Sequence, residues 1–178
     1  SVDNLTNPIS YYGAHKLLLE HYLNIHSSKN NLSPLILRIS NPYGINQSNY
    51  LQQGFIGTAI RSILENKTIE VWGDGSVIRD YIYIDDLTNL LTKCINNFSP
   101  GTFNVGSGRG YSINQIINKL KKVHNKKIKI NFTRINRYDV SKSVLDISKT
   151  KSKFKWSPDT HIDHGIRSMY SFMKKTKS

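Results

Sequence analysis

The 178-residue chain carries 25 Lys and Arg against 12 Asp and Glu, a formal net charge of +13, and a single cysteine. This length supports one domain with a sizeable core, and the composition excludes an internal disulfide and an apolar run able to span a bilayer, so a soluble cytoplasmic protein is expected. Much of the positive excess lies beyond Lys119, dispersed over predicted helix faces and turns in KLKKVHNKKIK and KTKSKFK; that pattern favours a solvated surface over a nucleic-acid stripe.

In chain order, a strongly amphipathic helix is predicted from Ser10, its N-cap, to about His26, followed by a short apolar strand, Leu35 to Ser40, of the kind buried in a parallel sheet. A turn-rich stretch, NPYGINQSN, precedes a helix from Leu51 to Asn66 and a strand from Ile69 to Trp72. The turn Gly73-Asp74-Gly75-Ser76 leads into an alternating strand, Val77 to Ile84, and Asp85 is expected to cap a helix running to about Asn97. Cys94 falls on that helix as a small buried apolar residue. Thr102 to Val105 reads as a strand, and Ser112 as the cap of a helix ending in KKVHNKK. A strand around Ile128 to Phe132, a loop with Arg134 and Arg137, and two helices separated by Trp156-Ser157-Pro158 complete an α/β chain without a clean internal boundary. The histidines converge with no Cys or acidic cluster in a metal-like frame, so no metal site is expected.

Tyr12 and Lys16 are the leading chemical candidates. Four residues apart on a helix, they share one face. A tyrosine titrates near pH ~10, and a cation within about 4–6 Å favours its phenolate, which makes such a pair a candidate general base. Tyr138/Lys142 and Tyr170/Lys174 share the spacing. Only the first pair combines a proline before the helix, a capping serine and a small Gly13-Ala14 step; the other two read as solvated pairs. The structural alternative for Tyr12 is a packed phenol beside a surface lysine.

Four further blocks follow in order: Asn41-Pro42-Tyr43-Gly44; Gly73-Asp74-Gly75-Ser76 with Arg79-Asp80-Tyr81 and Asp85-Asp86; Phe103-Asn104-Val105-Gly106-Ser107-Gly108; and Asp139 to Asp146 with Trp156-Ser157-Pro158. Together with the Tyr12/Lys16 pair, this series closely resembles the second half of the NAD-dependent epimerase/dehydratase family, the extended short-chain dehydrogenases acting on nucleotide sugars. The resemblance implies a Rossmann-type α/β fold whose last parallel strands are interleaved with a small substrate-binding subdomain. It also implies that the Gly-rich NAD-binding half, with the family's catalytic Ser or Thr, lies upstream of Ser1. Gly106-Ser107-Gly108-Arg109-Gly110 comes too late, and after the wrong strand, to be that loop.

By the same resemblance, Tyr12 deprotonates a sugar hydroxyl and Lys16 holds the nicotinamide ribose, so both also bind NAD. Asn41 hydrogen-bonds the substrate, an Asx turn ahead of Pro42 being the alternative. Arg79 binds the nucleotide pyrophosphate, the alternative being a salt bridge to Asp80, and Trp72 lies near the uracil ring or is a core aromatic. Arg137 takes the place of a second phosphate-binding arginine with a one-residue slip. Ser143 stands where size controls access beside C2 of the sugar. The implied activity is a UDP-hexose or UDP-N-acetylhexosamine 4-epimerase working through a 4-keto intermediate, expected as a homodimer when intact. A 4,6-dehydratase or decarboxylase of the same family, or a non-catalytic dinucleotide- or RNA-binding relative, are the alternatives.

Overall fold

The structure, a computed structural model, describes residues 6–45, 54–134 and 140–176. Helix α1 runs Tyr11–Asn30, with the Ser10 hydroxyl accepting from Gly13 N–H at 3.1 Å, which answers one of the unpaired donors of the first turn. It extends past the expected end and stops at Asn31, in the left-handed conformation. Its amphipathicity is not as predicted. Leu17, Leu18 and Leu19 are consecutive and so spread around the helix; only Ser27 is buried, and Leu18, Leu19, Tyr22 and Ile25 are all more than half exposed.

Strand β1 (Leu35–Ile39) pairs in parallel with β5 (Gly101–Val105). The stretch read as a turn opens with a strand, β2 (Asn41–Tyr43), parallel to β4 (Ile78–Tyr83); the exposed Pro42 is tolerated because β2 is a short strand at the edge of its sheet. Two short strands that local pattern does not announce, β6 (Gly110–Ser112) and β8 (Lys142–Ser143), also pair with β4, antiparallel and parallel respectively. Strand β3 (Ile69–Trp72) has the predicted bounds and pairs in parallel with β7 (Ile130–Thr133).

Among the helices, α2 covers Phe55–Leu64, the start of the predicted segment lying outside the described residues. In α3 (Ile84–Asn96) the N-cap position is Tyr83 rather than Asp85. Asp85 and Asp86 instead occupy the first turn, where a carboxylate complements the helix dipole. Helix α4 (Ile113–His124) starts at the predicted cap, Ser112, and Gln115 completes a capping box that the sequence reading did not include. Helices α5 (Ser148–Phe154) and α6 (Ile162–Lys175) end the described fold. Tyr170 is a core residue of α6, its hydroxyl 2.8 Å from His124 Nδ1, so it does not form the solvated pair expected of it.

Strand β4 separates two apolar clusters. Tyr81 and Tyr83 face one, with residues of α2, α4 and α6; Ile82 faces the other, with Cys94, Val105 and Trp156. Gly165 lets α6 approach this wall, since a Cβ there would sit 2.2 Å from Tyr43 Oη and 2.8 Å from Tyr83 Cδ2. Between the clusters Asp80 is 1% exposed, and its carboxylate accepts from Ser107 N (2.8 Å), Ser107 Oγ (2.7 Å), Gly108 N (3.1 Å) and Leu145 N (3.3 Å). A buried carboxylate is tolerable only with such a set of donors. A Cβ on Gly106 would meet Asp80 Oδ2 at 2.4 Å and Ser40 Oγ at 3.0 Å. Gly106→Ala should therefore lower stability by about 1–3 kcal/mol through overpacking, seen as a fall in Tm of about 2–4 °C per kcal/mol. An unchanged Tm in the purified variant would show that the carboxylate can shift freely.

Candidate active site

At the head of α1 the predicted pair meets: Lys16 Nζ lies over the Tyr12 ring, 5.4 Å from its centroid, and Tyr12 is 73% exposed. Both line a cleft of about 820 Å³ between α1 and β1, which runs to Ser40 and Pro42 beyond the carboxyl end of the strand. This is where open α/β sheets bind ligands. Helix α1 is tied to β1 by a bidentate ion pair, with Arg38 Nε donating to Glu20 Oε1 at 2.9 Å and Nη2 to Oε2 at 2.6 Å. The Glu20 carboxylate raises the Arg38 pKa further above its usual value. Ser40 lines the cleft, but its Oγ is buried on the Gly106 side and has no hydrogen-bond partner among the described residues; sequence pattern gave no sign of it.

Asn41, Trp72 and Arg79 come together in a second cleft of about 370 Å³, and Pro42 lines both clefts. Asn41 opens β2 rather than an Asx turn, and its Nδ2 donates to the Asp80 carbonyl at 2.8 Å. Alternation along β4 turns Arg79 and Tyr81 toward this cleft while Asp80 faces Ser107 and Gly108. Arg79 Nη1 donates to the carbonyls of Val140 (2.6 Å) and Ile78 (2.9 Å). Trp72, 77% exposed, is not a core aromatic. Burial pushes the Tyr81 phenol up to about 12 and raises that of Tyr43 as well, so these two cleft tyrosines remain protonated at neutral pH.

Ser143 stands opposite Arg79 in the β4–β8 ladder and is not among the residues lining the cleft. Arg137 lies outside the described residues. The sequence reading passed over Glu70, which lines the Arg79 cleft; its signal was the alternation of IEVW, which puts Glu70 and Trp72 on one face. The Gly106–Gly110 segment is not a phosphate loop in use, because the Ser107 and Gly108 N–H groups are taken by Asp80. Among the described residues no group of three His, Cys, Asp or Glu side chains is placed to hold a metal ion, and no helix is long and apolar enough to cross a membrane.

The chain belongs to the NAD dependent epimerase/dehydratase family, whose model matches residues 1–106. It is 32% identical over 168 residues to a dTDP-4-dehydro-6-deoxyglucose reductase of Escherichia coli, covering 93% of this chain and 53% of the relative. To a UDP-glucose 4-epimerase of Bacillus subtilis it is 30% identical, covering 85% of this chain and 49% of the relative. The structure superposes, with a TM-score of 0.92 and 28% identity over 99% of this chain and 56% of the other, on UDP-glucuronic acid 4-epimerase from Bacillus cereus in complex with UDP-glucuronic acid and NAD. The fold is thus that of the extended short-chain dehydrogenases, and the chain spans about half the length of the curated relatives it matches.

The Arg38–Glu20 pair predicts a local effect. A hydrogen bond to a charged group contributes about 1.5–3 kcal/mol, so Glu20→Gln should speed amide exchange along α1 while leaving β4 protected. Exchange that rises equally in α1 and β4 would mean that α1 is not a separately anchored element.

Proposed function

We propose that this chain carries the catalytic pair and the nucleotide cleft of an NAD-dependent nucleotide-sugar 4-epimerase. The observation that carries this reading is the junction at Pro42, where the cleft holding Tyr12 and Lys16 meets the cleft holding Asn41, Trp72 and Arg79. A sugar beside Asn41 would lie between a nucleotide on one side and a proton acceptor on the other. The names of the similar proteins agree on carbon 4 of a nucleotide-linked sugar.

The donor set suits the nicotinamide ribose: an exposed phenol and an ammonium share one cleft. NAD, when bound, would accept and return the hydride at carbon 4. Tyr12 would take the proton of the 4-hydroxyl and give it back, while Lys16 would hold the ribose hydroxyls. Both stand in water on this chain, and their coupling strengthens once cover lowers the local dielectric. Arg79 would take the pyrophosphate, and Asn41 would orient the sugar. In this reading the dinucleotide's own pyrophosphate is bound by residues outside these 178. A second reading, reduction of a 4-dehydro sugar nucleotide, is favoured by the identity to the E. coli reductase; it uses the same groups in one direction.

In the complete enzyme, UDP-glucose followed by NMR should yield UDP-galactose without net consumption of NADH; stoichiometric NADH oxidation with a 4-dehydro substrate would instead select the reductase. Tyr12→Phe should lower kcat by about 10²–10⁴-fold, the usual contribution of a general base, with UDP affinity within a few fold. Near-normal kcat would remove Tyr12 from the chemistry.

We further propose that Ser143, small and beside Arg79 in the ladder, leaves room for a C2 acetamide. Ser143→Tyr should then depress kcat/KM for UDP-N-acetylglucosamine by about tenfold or more relative to UDP-glucose, by steric exclusion. Equal loss on both substrates would show that Ser143 does not gate the sugar.

A further inference from the structure

Strand β3 buries Ile69 and Val71 and exposes Glu70 and Trp72 on the opposite face. In the paired strand β7, Asn131 stands opposite Glu70 and Thr133 opposite Trp72, so one face of this two-stranded sheet presents a carboxylate, an amide and an indole together. Glu70 and Trp72 both line the cleft that holds Arg79. Asn131 Nδ2 donates to Glu70 Oε2 at 2.8 Å and fixes the carboxylate from a strand 61 residues away.

A carboxylate offers about four lone-pair positions and a primary amide two N–H donors. Their single mutual bond therefore leaves an acceptor and a donor side by side, next to an aromatic surface on which a planar ring can stack. The imide edge of uracil or thymine is the complement of that pattern, an N3–H flanked by carbonyl oxygens. Cytosine has a bare N3 lone pair at the same place, which a carboxylate repels. Charge sets the direction of the ligand as well: Glu70 disfavours a phosphate at the β3 end, whereas Arg79 on β4 attracts one.

We propose that Glu70 is a specificity-determining residue that accepts the N3–H of a uracil or thymine base stacked on Trp72, with Asn131 as its positioning residue. The inference rests on the nucleotide-sugar reading of the cleft and adds how the base is chosen. A site built around a polar group rejects analogues that leave the group unpaired, and a bond to a charged acceptor is among the stronger of these.

Calorimetric titration of the full chain with UDP, CDP and inorganic pyrophosphate, in wild type, Glu70→Gln and Asn131→Ala, tests it. Wild type should prefer UDP to CDP by about tenfold or more. Glu70→Gln should lower UDP affinity by about the same factor and bring the two nucleotides within about threefold, because a glutamine can donate to cytosine N3. Asn131→Ala should shift the preference the same way by less, and pyrophosphate binding should be unaffected in both variants. UDP binding with a UDP-to-CDP ratio unchanged in Glu70→Gln, or no base preference in wild type, overturns the role of Glu70 and leaves the nucleotide cleft standing. No binding of UDP by wild type overturns the nucleotide reading itself.

Discussion

The buried carboxylate of Asp80 is the constraint on which the rest of this structure depends. With 1% exposure it requires a full set of donors, and it draws them from three places: the Ser107 backbone and hydroxyl, the Gly108 backbone and Leu145 N–H. Its backbone carbonyl adds a fourth link, to the Asn41 amide. One residue thereby fixes the end of β5, the segment after β8, and β2 against β4. Because side chains alternate along a strand, holding Asp80 on its side commits Arg79 and Tyr81 to the cleft. The glycines on either side of Ser107 follow from the same requirement: Gly106 has no space for a Cβ beside the carboxylate, and Gly108 sits at φ +70°, a conformation L side chains rarely adopt.

Around this fixed centre the two clefts differ in how firmly they are built. The Arg79 cleft rests on β4, which is walled by apolar clusters on both faces. The Tyr12 cleft is bounded by α1, a helix whose large apolar residues Leu18, Leu19, Tyr22 and Ile25 are exposed and which is tied down by an ion pair from Glu20 to Arg38. In the function proposed, nucleotide binding would fall on the firmly built side and proton transfer on the exposed side. That division suits a reaction in which the bound nucleotide holds the sugar in place while a general base acts upon it.

Features fixed by neighbouring residues were legible in the sequence. Ser112 caps α4, Ser10 caps α1, and IEVW has the predicted bounds of β3 to the residue. Features that depend on distant pairing were not: β2, β6 and β8 have two or three residues each and are strands only because β4 is beside them. The amphipathicity of α1 was misjudged because a run of three leucines looks apolar on one side in a list and covers more than half the circumference on a helix. Asp85 was taken for a cap on residue preference, whereas the tyrosine at the end of β4 already occupies that position. Among the residues lining the two clefts, Tyr12 with Lys16 was readable as a spaced pair, and Arg79 and Trp72 were picked out by the family resemblance. Glu70 was not, since its hydrogen bond to Asn131 crosses a register that only the folded sheet defines.

The central claim is that one continuous site runs from the Trp72 and Arg79 cleft through Asn41 and Pro42 to Tyr12. A crystal structure of the chain soaked with UDP-glucose tests it most directly. The account predicts the base against Trp72, the pyrophosphate within hydrogen-bonding distance of Arg79, and the hexose beside Asn41 with its 4-hydroxyl toward Tyr12. A nucleotide bound elsewhere, or one whose sugar points away from the α1 cleft, would contradict it.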